Sequence, residues 1–207
     1  MGLAKSFFNQ TRKPEGFLGK LMVGSMNGGH AKLANWGMAF LPPISPERVV
    51  DLGCGGGRNI SVLLEKYPAA HVDGIDHSPL SVGKSSAFNA EAIKAGRCTV
   101  RVGDVSALDL EDNACDLATA FETVYFWPGL EKCFSEVRRI MKPGGVFLIV
   151  NESDGEDSTG ERFEKIIDGM KVYKADELEA ALKATGFSEV TTHHHEHKPW
   201  IAVVARK

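Results

Sequence analysis

Between residues 48 and 151, short apolar runs alternate with longer amphipathic stretches, and that rhythm predicts the architecture. The runs at 48–52, 71–76, 98–103, 114–121 and 146–151 are brief and rich in apolar, often β-branched residues, as buried strands are. The intervening stretches 59–66, 80–95 and 129–141 place apolar residues at helical spacing, and the last is stopped by a turn at Lys142-Pro143-Gly144-Gly145. Such alternation predicts an α/β fold with a mainly parallel sheet covered by helices on both faces. Upstream, Leu33, Trp36, Ala39 and Phe40 recur at helical spacing before Pro42-Pro43, which predicts an N-terminal helical extension within residues 1–44. Beyond residue 151 the pattern changes. Residues 152–162 show no periodicity and read as a polar acidic loop, and 176–185 read as a helix starting at an Asp cap. Residues 190–197 and 200–205 read as a hairpin that brings an antiparallel strand to the sheet edge. Seven strands without a repeat or a low-complexity linker predict one domain over 1–207. It comprises a helical cap or lid (1–44), a core (45–151), and a C-terminal helix and hairpin (152–207).

Charge and cysteine usage remove several classes of function. The 24 Lys and Arg against 27 Asp and Glu give a formal charge of -3, which provides no cationic face for a phosphate backbone, so no nucleic-acid partner is expected. Cys54, Cys98, Cys115 and Cys133 lie far apart without a CxxC pair, which predicts reduced thiols and neither a zinc knuckle nor a disulfide framework. No apolar run approaches the ~18 residues of a membrane span. The first stretch carries Lys5, Arg12, Lys13 and Lys20 without a signal-peptide core. A soluble cytoplasmic protein with no membrane partner is therefore expected, while the oligomeric state is not legible.

The chemistry concentrates where the first strand meets its helix, in Asp51-Leu52-Gly53-Cys54-Gly55-Gly56-Gly57. A turn so rich in glycine lets the backbone come close to a ligand. The dinucleotide fingerprint GxGxxG needs a glycine at position 58, which is Arg58 here. The observed DxGxGxG resembles the first motif of the class I S-adenosylmethionine-dependent methyltransferases. Asp76 ends the second strand about 20 residues later, where a carboxylate can accept ribose hydroxyls. Asp104 and Val105 follow the third strand, and the segment RRIMKPGGVFLIV leads into the fifth, in the order of that family's later motifs.

That resemblance, over residues 48–151, implies a Rossmann-like doubly wound, mostly parallel seven-stranded sheet binding S-adenosyl-L-methionine. It implies cofactor contacts from Asp51, Gly53, Cys54, Gly55, Asp76, His77, Asp104, Val105 and Phe121. It further implies methyl transfer to a small-molecule acceptor by in-line displacement, driven mainly by alignment and desolvation. An NAD- or nucleotide-binding protein built on the same turn, and a binding module that retains the cofactor without catalysis, are the competing readings.

The acceptor pocket is expected beyond the carboxyl ends of the fourth and fifth strands. The loop there, Phe121-Glu122-Thr123-Val124-Tyr125-Phe126-Trp127-Pro128, is unusually aromatic, so Tyr125, Phe126 and Trp127 are candidate walls. Glu122 and Tyr125 are candidate catalytic groups. His30 is a third, and Trp36 a further wall, if the glycines at 28 and 29 let the N-terminal segment close as a lid. In the tract Thr191-Thr192-His193-His194-His195-Glu196-His197, strand geometry puts His193, His195 and His197 on one face. A polar edge strand accounts for the tract, and no metal site is expected.

Overall fold

The computed structural model describes residues 30–156 and 158–207. The strands are β1 (Arg48–Leu52), β2 (His71–Asp76), β3 (Cys98–Val102), β4 (Cys115–Phe121), β5 (Met141–Asn151), β6 (Ser188–His194) and β7 (Ile201–Arg206). They form one seven-stranded sheet in the order β3-β2-β1-β4-β5-β7-β6. β1 to β5 pair in parallel, and β7 runs antiparallel between β5 and the edge strand β6. The helices are α1 (Ala31–Met38), α2 (Arg58–Lys66), α3 (Pro79–Phe88), α4 (Ala90–Lys94), α5 (Leu130–Ile140), α6 (Ser158–Ile166) and α7 (Ala175–Ala184). Among the described residues no helix is long and apolar enough to cross a membrane.

Alternation along β5 builds both halves of the core. Phe147 and Ile149 face Phe134, Leu178 and Leu182 of α5 and α7, while Val146, Leu148 and Val150 face Leu33 and Met38 of α1 and Ile60 and Leu63 of α2. Gly37 lets α1 close onto this sheet, because a Cβ there would overlap the methyl groups of Val150. The strand order reverses between β1 and β4, and this switch point opens a crevice at the carboxyl ends of those strands.

Several elements depart from the expected boundaries for local reasons. The helix expected over 80–95 is divided at Asn89, whose side-chain amide donates to the carbonyls of Gly57 and Ser85, both at 3.0 Å. Asn89 thereby ties the helix pair to the glycine turn. α6 begins inside the segment expected to be a loop, because its apolar positions, Phe163 and Ile166, fall after residue 162. α7 is capped at Lys174, whose amide donates to Glu177 at 2.9 Å, and Asp176 sits within its first turn. Residues 142–145 lie within β5 as an irregularity, with pairing stepping from Cys115↔Met141 to Leu117↔Val146. Lys142 reaches Asp116 at 2.8 Å there.

The β6 strand ends at His194, so His193, His195 and His197 do not share a strand face. His193 stacks on Phe40 at 4.0 Å, and His195 packs against Trp36 and Trp200 at 5.5 and 4.9 Å. His197 is exposed.

Asn151, at the end of β5, is fully buried, and among the described residues neither of its amide atoms has a hydrogen-bond partner. An unsatisfied buried polar group costs about 1–3 kcal/mol. Asn151→Val is accordingly expected to raise the unfolding free energy by roughly 1 kcal/mol or more in urea denaturation. A fall in stability would mean that the amide is not a liability.

Candidate functional site

The glycine turn leaves β1 at Leu52 and enters α2 at Arg58. It is stitched to the end of β2, because the amides of Gly53 and Cys54 both donate to the Ile75 carbonyl, at 2.7 and 3.1 Å. Asp76 completes the brace: Oδ2 accepts the Gly55 amide and Oδ1 the Ser78 amide, each at 2.9 Å. One carboxylate thus fixes the turn and the start of α3 together. Gly53 and Gly55 both have positive φ, +75° and +52°, but their surroundings differ. A Cβ on Gly53 would overlap the Thr123 side chain, whereas a Cβ on Gly55 would meet no protein atom within 4 Å.

Above this turn lies a cleft of about 340 Å³. Gly53, Cys54, Gly55, Asp76, His77, Asp104, Val105 and Phe121 all line it, as do Glu122, His30, Phe126 and Trp127. Asp104 accepts the Ser106 amide at 2.8 Å, and that hydrogen bond holds its carboxyl below the usual range. Arg58 also lines the cleft, as do Asn59 and Ser81, which nothing in the sequence distinguishes from ordinary helix residues.

Three expected site residues lie elsewhere. Asp51 is only 2% exposed and sits beneath the turn, where it accepts the Thr119 hydroxyl at 2.7 Å across the β1–β4 pair. Burial raises its carboxyl to about 7, and the nearby negative charge of Asp76 adds to the shift. Trp36 is not a pocket wall, because the hairpin passes beside α1 and engages its ring through Trp200 and His195. Tyr125 is buried in a 3-10 turn, Val124–Phe126, and supports the cleft from behind. Its hydroxyl donates to Glu122 Oε1 at 3.1 Å and accepts the Ser153 amide at 3.2 Å. The lid glycines 28 and 29 lie outside the described residues.

Glu122 stands at the junction of these contacts. It takes a left-handed backbone conformation, φ +58°, in leaving β4, and Oε1 also accepts the Glu152 amide. Burial, reinforced by the Glu152 carboxylate, raises its carboxyl to about 8. Across from it, His30 Nε2 lies 3.7 Å from Glu152 Oε2. His30, Glu122 and Glu152 each place one donor atom within 4.8 Å of the other two. Glu152 was missed because the sequence around it reads only as a polar loop.

A family model described as a methyltransferase domain matches residues 45–201. A sterol 24-C-methyltransferase of Gibberella zeae is 31% identical over 158 residues, covering 72% of this chain and 40% of that protein. The chain spans less than half the length of the sterol methyltransferases it matches. Among solved structures, one similar chain comes from the complex of the Haloferax volcanii Trm112 methyltransferase activator with a methyltransferase. It has a TM-score of 0.81 and 20% identity over 89% of this chain and 93% of that one. Geranyl diphosphate C-methyltransferase of Streptomyces coelicolor A3(2), solved with Mg2+, a thiolodiphosphate analogue and S-adenosyl-L-homocysteine, has a TM-score of 0.73. Its identity is 16%, over 85% of this chain and 75% of that one.

Proposed function

The chain belongs to the class I S-adenosylmethionine-dependent methyltransferase family, and on that premise we propose that it methylates a small-molecule acceptor held in the cleft above the glycine turn. The residues fit the cofactor. Gly55 leaves open the space that a Cβ would take, with no protein atom within 4 Å and the Asp76 carboxylate fixed beneath it. That open volume is the observation that carries the reading. Gly53, Cys54 and Gly55 would form the floor against which the methionine side packs, with Asp76 and His77 at the ribose and Asp104 with Val105 at the base. Asp51, braced by Thr119, supports the turn from below. When bound, S-adenosylmethionine supplies an electrophilic methyl group on a sulfonium.

The chain's own task is then to align an acceptor and exclude water, and such alignment contributes ~7–11 kcal/mol in favourable cases. Phe126 and Trp127 provide apolar walls for this, and the Trp127 ring is fixed by its indole N–H donating to Thr123 at 3.3 Å and by stacking on Phe147. The sterol and geranyl diphosphate methyltransferases act on small molecules, which supports an acceptor of that size. Calorimetric titration should give binding of S-adenosylmethionine and S-adenosylhomocysteine and none of NAD. Binding of NAD alone would overturn the proposal. A screen with radiolabelled cofactor against metabolite pools should give a methylated product, and a chain that binds cofactor but labels nothing is a binding module.

A further inference from the structure

We propose that His30, Glu122 and Glu152 together hold one divalent transition-metal ion at the edge of the acceptor cleft. The inference rests on the reading of that cleft as the acceptor site. The three residues come from separate parts of the fold: the residue before α1, the exit of β4 and the exit of β5. Their donor atoms lie within 4.8 Å of one another. Bonds of about 2.0–2.2 Å to a common ion require ligand atoms no more than ~4.4 Å apart, so ion binding must draw the set together by a few tenths of an ångström.

The His30–Glu152 pair is a loose one. His30 and Glu152 stand 3.7 Å apart, beyond the ~2.7–2.9 Å of a charge-assisted hydrogen bond. The carboxyl groups of Glu122 and Glu152 face the same space as the His30 imidazole. Glu122 is also oriented as a ligand is: the Tyr125 hydroxyl and the Glu152 amide both bind its Oε1 and fix the plane of the carboxylate.

One imidazole nitrogen with two carboxylate oxygens is a mixed donor set suited to ions from Mn2+ to Zn2+. Ca2+ and Mg2+ favour oxygen ligands throughout. Three protein ligands leave coordination positions open, as catalytic sites do. Because His30 and Glu122 line the cleft, those positions border the acceptor. The acceptor class this implies is a small molecule carrying an oxygen donor, such as a hydroxyl or carboxylate, which the ion would hold and polarise.

The full chain, stripped of metal by chelator dialysis, is titrated with Mn2+ while free Mn2+ is followed by electron paramagnetic resonance. The expected result is one tight ion per chain, weakened at least about tenfold in both His30→Ala and Glu152→Gln. Glu152 is exposed, so its substitution does not endanger folding. The double variant His195→Ala, His197→Ala should retain the ion. Absence of Mn2+ binding overturns the proposal. So does binding that both single substitutions leave unchanged, or binding lost only in the hairpin double variant. S-adenosylhomocysteine titration of the unsubstituted chain separates the two failures. Normal S-adenosylhomocysteine binding with no ion refutes the metal site alone, whereas loss of that binding refutes the methyltransferase reading.

Discussion

Gly55→Val should abolish cofactor binding in a protein that still folds, whereas Gly53→Ala should damage the fold itself. Both residues have positive φ, so each substitution carries the cost of a left-handed conformation, about 1–2 kcal/mol. They differ in what the new side chain meets. At position 53 a Cβ overlaps Thr123, which is itself hydrogen-bonded to Trp127, so the strain passes into the β4 loop and the core. Overpacking of that kind adds about 1–3 kcal/mol, and the total is a large share of the 5–15 kcal/mol that holds a domain together. At position 55 the Cβ enters open cleft volume, with no protein atom within 4 Å. Beyond that backbone cost, the new side chain would stand in the path of a bound ligand. The expected outcome is a loss of at least about 100-fold in S-adenosylhomocysteine affinity, ~2.7 kcal/mol, with near-normal circular dichroism and a modestly lowered urea midpoint. Gly55→Val binding within tenfold of the unsubstituted chain would remove the open volume from the cofactor site.

The contrast between these glycines also marks how far the sequence could be read. The strands, the turn and the positions of Asp76 and Asp104 were legible because each rests on local pattern: apolar runs, glycine punctuation, and a polar residue where a strand ends. Burial of Asp51 was not legible, since it depends on the register that sets Thr119 opposite it in β4, 68 residues away. Trp36 shows the same limit. Its helical stripe marks it as apolar but cannot say whether the cleft or the hairpin supplies the contact, and the hairpin does, through Trp200 and His195. The convergence of His30, Glu122 and Glu152 is wholly a product of topology. The parallel sheet sets the exits of β4 and β5 side by side, and α1 packs against β5, which brings His30 to the same point. Tyr125 lies beside Glu122 but behind the cleft wall, because the 3-10 turn points its ring inward while Phe126 faces the cleft, and that rotation is not written in the local pattern.

Buried Asp51 should make the ligand-free chain lose stability as pH rises from about 4 to about 7. Its carboxyl titrates near the ordinary 3.8 when unfolded and near 7 when folded, so across that window the folded state binds the extra proton. Stability supplied by the raised value is complete below pH 4 and disappears as the pH passes 7. At 1.36 kcal/mol per unit, the full change is roughly 4 kcal/mol, comparable with the whole stability of a marginal domain. Asp51→Asn should remove the effect, because its side-chain carbonyl can still accept the Thr119 hydroxyl and nothing needs to ionise. Urea denaturation at pH 4.5, 6 and 8 is then expected to give similar midpoints for the two proteins at the lowest pH, with Asp51→Asn increasingly the more stable as pH rises. Glu122, raised to about 8, acts in the same direction but equally in both proteins, so it cancels in the difference. Parallel stability curves over this range would show that Asp51 ionises freely beneath the turn, and that its burial exerts no control over the floor of the cofactor site.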